Sequence, residues 1–173
     1  PRRMLNRIVQ SRGQTLTELL TVLAVIAIVA GTAVPAFTGL VLDSRLNATV
    51  TTALHAVNLA RQLAAIRGEA IRLCGTQDER QCSGRTDWST GLLVANDGEN
   101  LRRSLPLAAA SRPPRIRSNR AVISFEGDSG FASPATLTIC DRRGAAEARA
   151  LIISRSGRPR ISDRDASDRP LTC

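Results

Sequence analysis

Arg12-Gly13-Gln14-Thr15-Leu16-Thr17-Glu18, followed by an uncharged run of 24 residues from Leu19 to Leu42, decides the fold. At about 1.5 Å per helical residue the run spans roughly 36 Å, enough to cross the hydrocarbon core of a bilayer with some tilt. Pro1 to Gly13 hold four arginines and no acid. That is the pattern of a cytoplasmic flank under the positive-inside rule, so the rest of the chain is expected on the far side of the membrane. A secretory signal peptide would have a shorter apolar region ending in small residues at a cleavage site, whereas here the small residue precedes the run.

Beyond the run, Leu40 to Gly68 read as an amphipathic helix. Leu42, Leu46, Val50, Ala53, Val57, Ala60 and Ala64 share one side, and Asn47, Thr51, Asn58 and Gln62 fall largely on the other. Leu59, Leu63 and Ile66 are expected to widen the stripe near its end. His55, the only histidine, has no cysteine or acid at ligand spacing and reads as an ordinary helix residue. After Gly68 the chain reads as short strands: Ala70 to Cys74, Gly91 to Ala95, Asn100 to Leu107, Ala121 to Glu126, Ala135 to Cys140 and Ala148 to Ser154, with a turn at Asn96-Asp97-Gly98-Glu99-Asn100. One long helix followed by strands is an α+β arrangement, the helix covering a face of antiparallel sheet. Trp88, Phe125 and Phe131 are expected in the small core. With no tyrosine in the chain, a base-stacking platform for single strands is not expected.

The 173 residues leave room for one globular domain. All 24 basic residues are arginine; without the four of the leader, twenty face 15 acids and the net charge falls from +9 to +5. The four cysteines all follow the apolar run and form no C-x-x-C pair, which favours two disulfides over a metal site in a domain carried across a membrane. Of the three possible connectivities, Cys74 with Cys82 and Cys140 with Cys173 is the expected one, because a short local loop and a clamp on the chain end are the cheapest to close. No cofactor is expected, and no catalytic constellation is visible: no histidine stands near a nucleophile and there is no P-loop.

Glu18 needs an explanation, since a carboxylate at the edge of a lipid-facing helix is costly if it sits deep. Gly13 followed by Gln-Thr-Leu-Thr-Glu-Leu-Leu and an apolar run containing Pro35 resembles the class III signal of type IV pilins and type II secretion pseudopilins. The resemblance implies that a prepilin peptidase cuts after Gly13 and methylates Gln14, where most members have Phe. It also implies that Glu18 pairs with the N-terminal amine of a neighbouring subunit, and that Pro35 is the family's helix-kinking proline. The domains expected are a cleaved leader (1–13), a transmembrane and filament-core half-helix (14–39), and an amphipathic half-helix with a periplasmic β-rich domain (40–173). The implied fold is the type IV pilin-like α+β fold.

Two arginine stretches bear on function. Leu101 to Arg120 contain Arg102, Arg103, Arg112, Arg115, Arg117 and Arg120 and no acid, with Pro106, Pro113 and Pro114 marking a loop. Ala148 to Ile161 read as a strand, a tight turn at Ser156-Gly157 and an extended return. Pro159 fixes its own φ and holds Arg158 extended, so Arg158 and Arg160 are expected to point the same way, about 7 Å apart, a spacing suited to adjacent phosphates. Arg155 adds a possible third contact. Together with Thr136-Leu-Thr-Ile-Cys-Asp-Arg-Arg-Gly and the ending Pro170-Leu-Thr-Cys, this segment is similar to the C-terminal half of the GspH/FimT family. The FimT branch carries a Gly-Arg-x-Arg element linked to DNA binding in natural transformation, here Gly157, Arg158, Pro159 and Arg160. The resemblance implies a minor pilin that binds DNA during uptake. The central basic stretch reads as a solvated loop, with Arg115 and Arg117 as the secondary DNA contacts if it binds a ligand. Its implied partners are DNA, major and minor pilin subunits, the prepilin peptidase and the inner membrane. The alternatives are a type II secretion pseudopilin and an assembly-priming minor pilin that binds no DNA. The tail acids Asp163, Asp165 and Asp168 would weaken a phosphate site if they folded back on it.

Overall fold

In the computed structural model, residues 15–96, 98, 101–107 and 113–173 are described. The leader with Gly13 and Gln14, Arg112, and residues 97, 99 and 100 of the expected turn lie outside them. The chain divides into two compact units, Pro1–Leu40 and Val41–Cys173. One helix, α1 (Leu16–Arg67), runs through 52 residues, including Pro35. In the first unit Leu19, Leu23, Ile26 and Val29 are all exposed. By length and composition the segment is long and apolar enough to cross a membrane.

The second unit begins with the rest of α1. Leu46, Val50, Ala53, Val57, Ala60 and Ala64 are buried and Leu42 is half-buried, so the stripe expected from the sequence is the one that packs. It ends one residue type earlier than expected. Leu59 and Leu63 pack against the core, but Ile66 is 81% exposed, because two positions beyond buried Ala64 it is turned about 200° to the far side of the helix. Gly68, at φ +66°, ends the helix, its N–H returning to the Ala64 carbonyl at 2.9 Å.

Eight strands follow: β1 (Ile71–Gly75), β2 (Gly91–Asn96), β3 (Arg102–Pro106), β4 (Arg115–Ser118), β5 (Val122–Phe125), β6 (Ala135–Cys140), β7 (Arg149–Ile153) and β8 (Pro159–Ser162). They form two antiparallel four-stranded sheets, β3-β2-β1-β5 and β4-β6-β7-β8. Alternation sorts the residues. Ile71, Leu73, Ile123 and Phe125 of the first sheet and Ile116, Leu137, Ile139, Leu151 and Ile153 of the second join the helix stripe in one core. Trp88 is fully buried there, its indole N–H donating to the Arg85 carbonyl at 2.9 Å.

The outer sheet faces have their own covers, each fastened by a disulfide. Cys74–Cys82 holds its loop over Leu93, Ala95 and Val122. Cys140–Cys173 holds the C-terminal tail so that Leu171 is buried among Ala148, Ala150 and Ile152. The connectivity is the one that closure length favours.

Two expectations need correction. The basic stretch after Pro113 is a strand rather than a loop: Arg115-Ile116-Arg117-Ser118 alternates exposed and buried, pairs with β6, and is flanked on its other edge by residues 86–89. Phe131 lies outside the core and is 51% exposed, on the returning side of the connection between β5 and β6. Phe125, only 1% exposed, already fills the position between the helix and the sheet edge.

Arg143 anchors the helix to the second sheet. Its guanidinium meets Asp141 through Nη2 at 2.6 Å and Asp43 of α1 through Nη1 at 2.7 Å. Burial raises the Asp141 carboxyl, but the hydrogen bonds and charge of Arg143 outweigh it, leaving the group below the usual carboxylate range.

Candidate functional site

The turn between β7 and β8 is locked by its own backbone. Ser154 N–H donates to the Arg158 carbonyl at 3.1 Å, and Gly157 N–H donates to the Ser154 carbonyl at 2.9 Å. The Ser154 hydroxyl also accepts from Arg158 N–H at 3.3 Å. Gly157 is buried at φ +70°, where a side chain is strained. A Cβ added there would stand 3.3 Å from Arg61 Cδ, 3.6 Å from Phe125 and 3.7 Å from Ala132. The glycine therefore lets the turn sit down on α1 and the first sheet's edge.

Arg155, Arg158 and Arg160 are exposed and, among the described residues, none is in a salt bridge. Arg160 pairs with Ile152 in the β7–β8 register, and Ile152 belongs to the outer-face cluster under the tail. Arg160 thus belongs to the outer face of the second sheet. Arg115 and Arg117 belong to the same face, since Ile116 between them is in the core. They stand at the opposite edge, three strand spacings or roughly 15 Å away. Their charge is partly answered. Asp87 lies below the usual carboxylate range, first through the hydroxyl and N–H of Ser89 and then through Arg115 and Arg117. They are weaker candidates for an external anion than the turn arginines.

The tail acids are largely engaged within the tail. Asp165 meets Arg169 at 2.8 Å and Asp168 meets Arg164 at 3.9 Å. Between the tail and the β4–β6 edge runs a groove of about 300 Å³ lined by Arg117, Asn119, Thr136, Thr138, Arg169 and Thr172, among others.

Two features of this site escape sequence reading. Arg61, exposed on α1, lies against the turn at Gly157, although 96 positions separate them in the chain. The Arg155 guanidinium stands 5.6 Å from the centroid of the Phe131 ring, within cation–π range. Nothing local in the sequence signals either pairing, because both are made by the fold.

At the other end of the chain Glu18 has a local role. Thr15 N–H donates to Glu18 Oε2 at 3.4 Å and Glu18 N–H donates to the Thr15 hydroxyl at 3.3 Å. This reciprocal pair is a capping box, with Thr15 as N-cap and Glu18 at the third helical position.

Comparison with known proteins adds the following. Residues 49–157 match the family described as Type II transport protein GspH. Residues 9–34 match the Prokaryotic N-terminal methylation motif. No curated protein matches the chain. A crystal structure of the type IV minor pilin FimU from Pseudomonas aeruginosa (strain PAO1), in space group P21, is 19% identical with a TM-score of 0.53, covering 76% of this chain and 98% of that one. A second FimU crystal form, in space group P65, is 20% identical with a TM-score of 0.46, covering 69% and 93%. The first of these shares the architecture of a long N-terminal helix packed on antiparallel sheets.

Proposed function

The chain belongs to the GspH family, as a minor type IV pilin or GspH-like pseudopilin, and from that premise we propose that it binds DNA for uptake in natural transformation. Binding is through arginine–phosphate contacts and is largely independent of sequence. The observation that carries the reading is the turn at Gly157, which presents Arg158 and Arg160, with Arg155 beside them, exposed and free of salt bridges among the described residues. Forked guanidiniums on a fixed backbone suit phosphate oxygens. Arg61, Arg115 and Arg117 extend the basic surface.

In this reading the peptidase cuts after Gly13 and methylates Gln14, and the chain waits in the inner membrane with its C-terminal domain in the periplasm before joining an extracellular pilus. The capping box keeps Glu18 satisfied until a neighbouring subunit offers its N-terminal amine, and Pro35 lets the helix adapt within the filament. Every buried residue among those described lies at or beyond Leu46, so the segment 41–173 carries its own core. Mobility shift of that segment with duplex DNA tests the reading. The double substitution R158A/R160A is expected to abolish most of the shift, and an unchanged shift would refute the assignment.

A second reading, a type II secretion pseudopilin whose partners are other pseudopilins or cargo protein, is favoured by the description of the matched family. It predicts no shift with the unaltered segment and a gene neighbourhood of secretion components.

A further inference from the structure

We propose that Phe131, backed by Arg155, stacks an unpaired nucleobase wherever the bound DNA offers a single strand or an unpaired end. The inference rests on the DNA-binding reading above and adds a base contact to a site so far made only of phosphate contacts. A lone exposed phenylalanine is ordinary and asks for no explanation. Phe131 differs in how it is held. Its carbonyl accepts from Glu126 N–H at 2.8 Å, the next residue's N–H donates to the Arg155 carbonyl at 2.8 Å, and Ser133 N–H donates to the Ser124 carbonyl at 2.9 Å. The backbone carrying the ring is therefore fixed to β5 on one side and to the arginine turn on the other.

The ring is 51% exposed, and the Arg155 guanidinium stands 5.6 Å from its centroid. A guanidinium set against a ring holds the ring in one attitude, and its in-plane N–H groups remain able to meet a phosphate. The open part of the ring then offers a π-face to a base, and a base buried in a duplex cannot reach it without leaving its stack. Arg158 and Arg61, on the turn side, suit the phosphates of the same strand. Glu126 and Asp128, exposed in the same loop as Phe131, repel phosphates from that loop. The strand is thus steered with its backbone toward the arginines and a base toward the ring. A single residue of this kind is sequence-tolerant, since every base has a π-face.

The test uses the full chain in nonionic detergent and fluorescence anisotropy with three labelled probes of equal length: a single strand, the same strand with abasic sites throughout, and the corresponding blunt duplex. The unaltered protein is expected to bind the single strand roughly tenfold more tightly than the abasic strand. Phe131→Leu removes that advantage while leaving abasic and duplex affinity in place, and Phe131→Trp keeps it. Equal affinity for the base-bearing and abasic strands, or an advantage that survives Phe131→Leu, overturns the stacking proposal while the phosphate reading stands. No binding to any probe by the unaltered protein overturns both. Thermal melting of each variant establishes that it is folded, which the exposure of Phe131 leads one to expect.

Discussion

Replacing Gly157 by Ala puts a methyl group on a backbone held at φ +70°. Left-handed backbone costs an L-residue with a Cβ roughly 1–2 kcal/mol. The space around it adds little. The methyl would stand 3.3 Å from Arg61 Cδ, which belongs to a long side chain able to move a few tenths of an ångström, and it would make ordinary contacts with Phe125 and Ala132 at 3.6 and 3.7 Å. The sum is therefore about 1–2 kcal/mol, set by the backbone and not by a clash. For a domain of this size that lowers Tm by about 3–10 °C, measurable by calorimetry on the segment 41–173. The strain falls on the turn that presents Arg158 and Arg160, so affinity for duplex DNA is expected to fall as well, in a variant that keeps every arginine. An unchanged Tm would refute the claim that the left-handed turn is held by the packing around Gly157. A loss of more than about 4 kcal/mol would show that the site cannot yield and that the crowding has been misjudged.

Other perturbations test other parts of the account. Arg143→Ala leaves the Asp141 side chain, 4% exposed, without its main cation. The loss is about 2–3 kcal/mol, below the range for a fully buried pair because the Arg143 N–H still donates to Asp141. Tm should fall by roughly 10 °C. Asp141 titrates below its unfolded value, so its contribution is complete above the ordinary carboxylate pKa of about 3.9 and is lost as pH falls through the lower folded value. Urea melts from pH 6 down to pH 2 should show this loss in the unaltered segment and a smaller one in Arg143→Ala. Cys173→Ser opens a link closing 33 residues and should cost roughly 3.7 kcal/mol, against roughly 2.5 for Cys82→Ser, which opens one closing 8. The order of the two melting temperatures checks this. Because Leu171 is held over the outer face near β8, Cys173→Ser should also lower DNA affinity.

The parts of the fold that can be read along the chain are those with strong local period. The stripe from Leu46 to Ala64 is visible at helical spacing, and β6 and β7 announce themselves through Ala135-Thr-Leu-Thr-Ile-Cys and Arg149-Ala-Leu-Ile-Ile. The strand at Arg115-Ile116-Arg117-Ser118 has the right alternation too, but two prolines and two guanidiniums in the same stretch argue for a loop. It becomes a strand because it lies between β6 and residues 86–89, and that partnership is non-local. Phe131 fails as a core residue for a related reason. Composition says that a domain with few aromatics should bury them, whereas position in the fold decides that Phe125 takes the buried place. The Thr15-x-x-Glu18 capping box is legible in four residues and is easily overlooked once Glu18 is read for its membrane cost alone. At the candidate site the Gly-Arg-x-Arg element stands out in sequence, while Arg61 and the Arg155–Phe131 pair exist only once α1, the β5–β6 connection and the turn are assembled.

Whether the turn arginines meet phosphates is read from a salt series on the segment 41–173 with a blunt duplex. If Arg158, Arg160 and one further arginine each neutralise a phosphate, log affinity against log salt has a slope of about −2.7, and R158A/R160A reduces it to about −0.9 with a large loss of affinity at low salt. The same slope and affinity in both proteins would contradict the account.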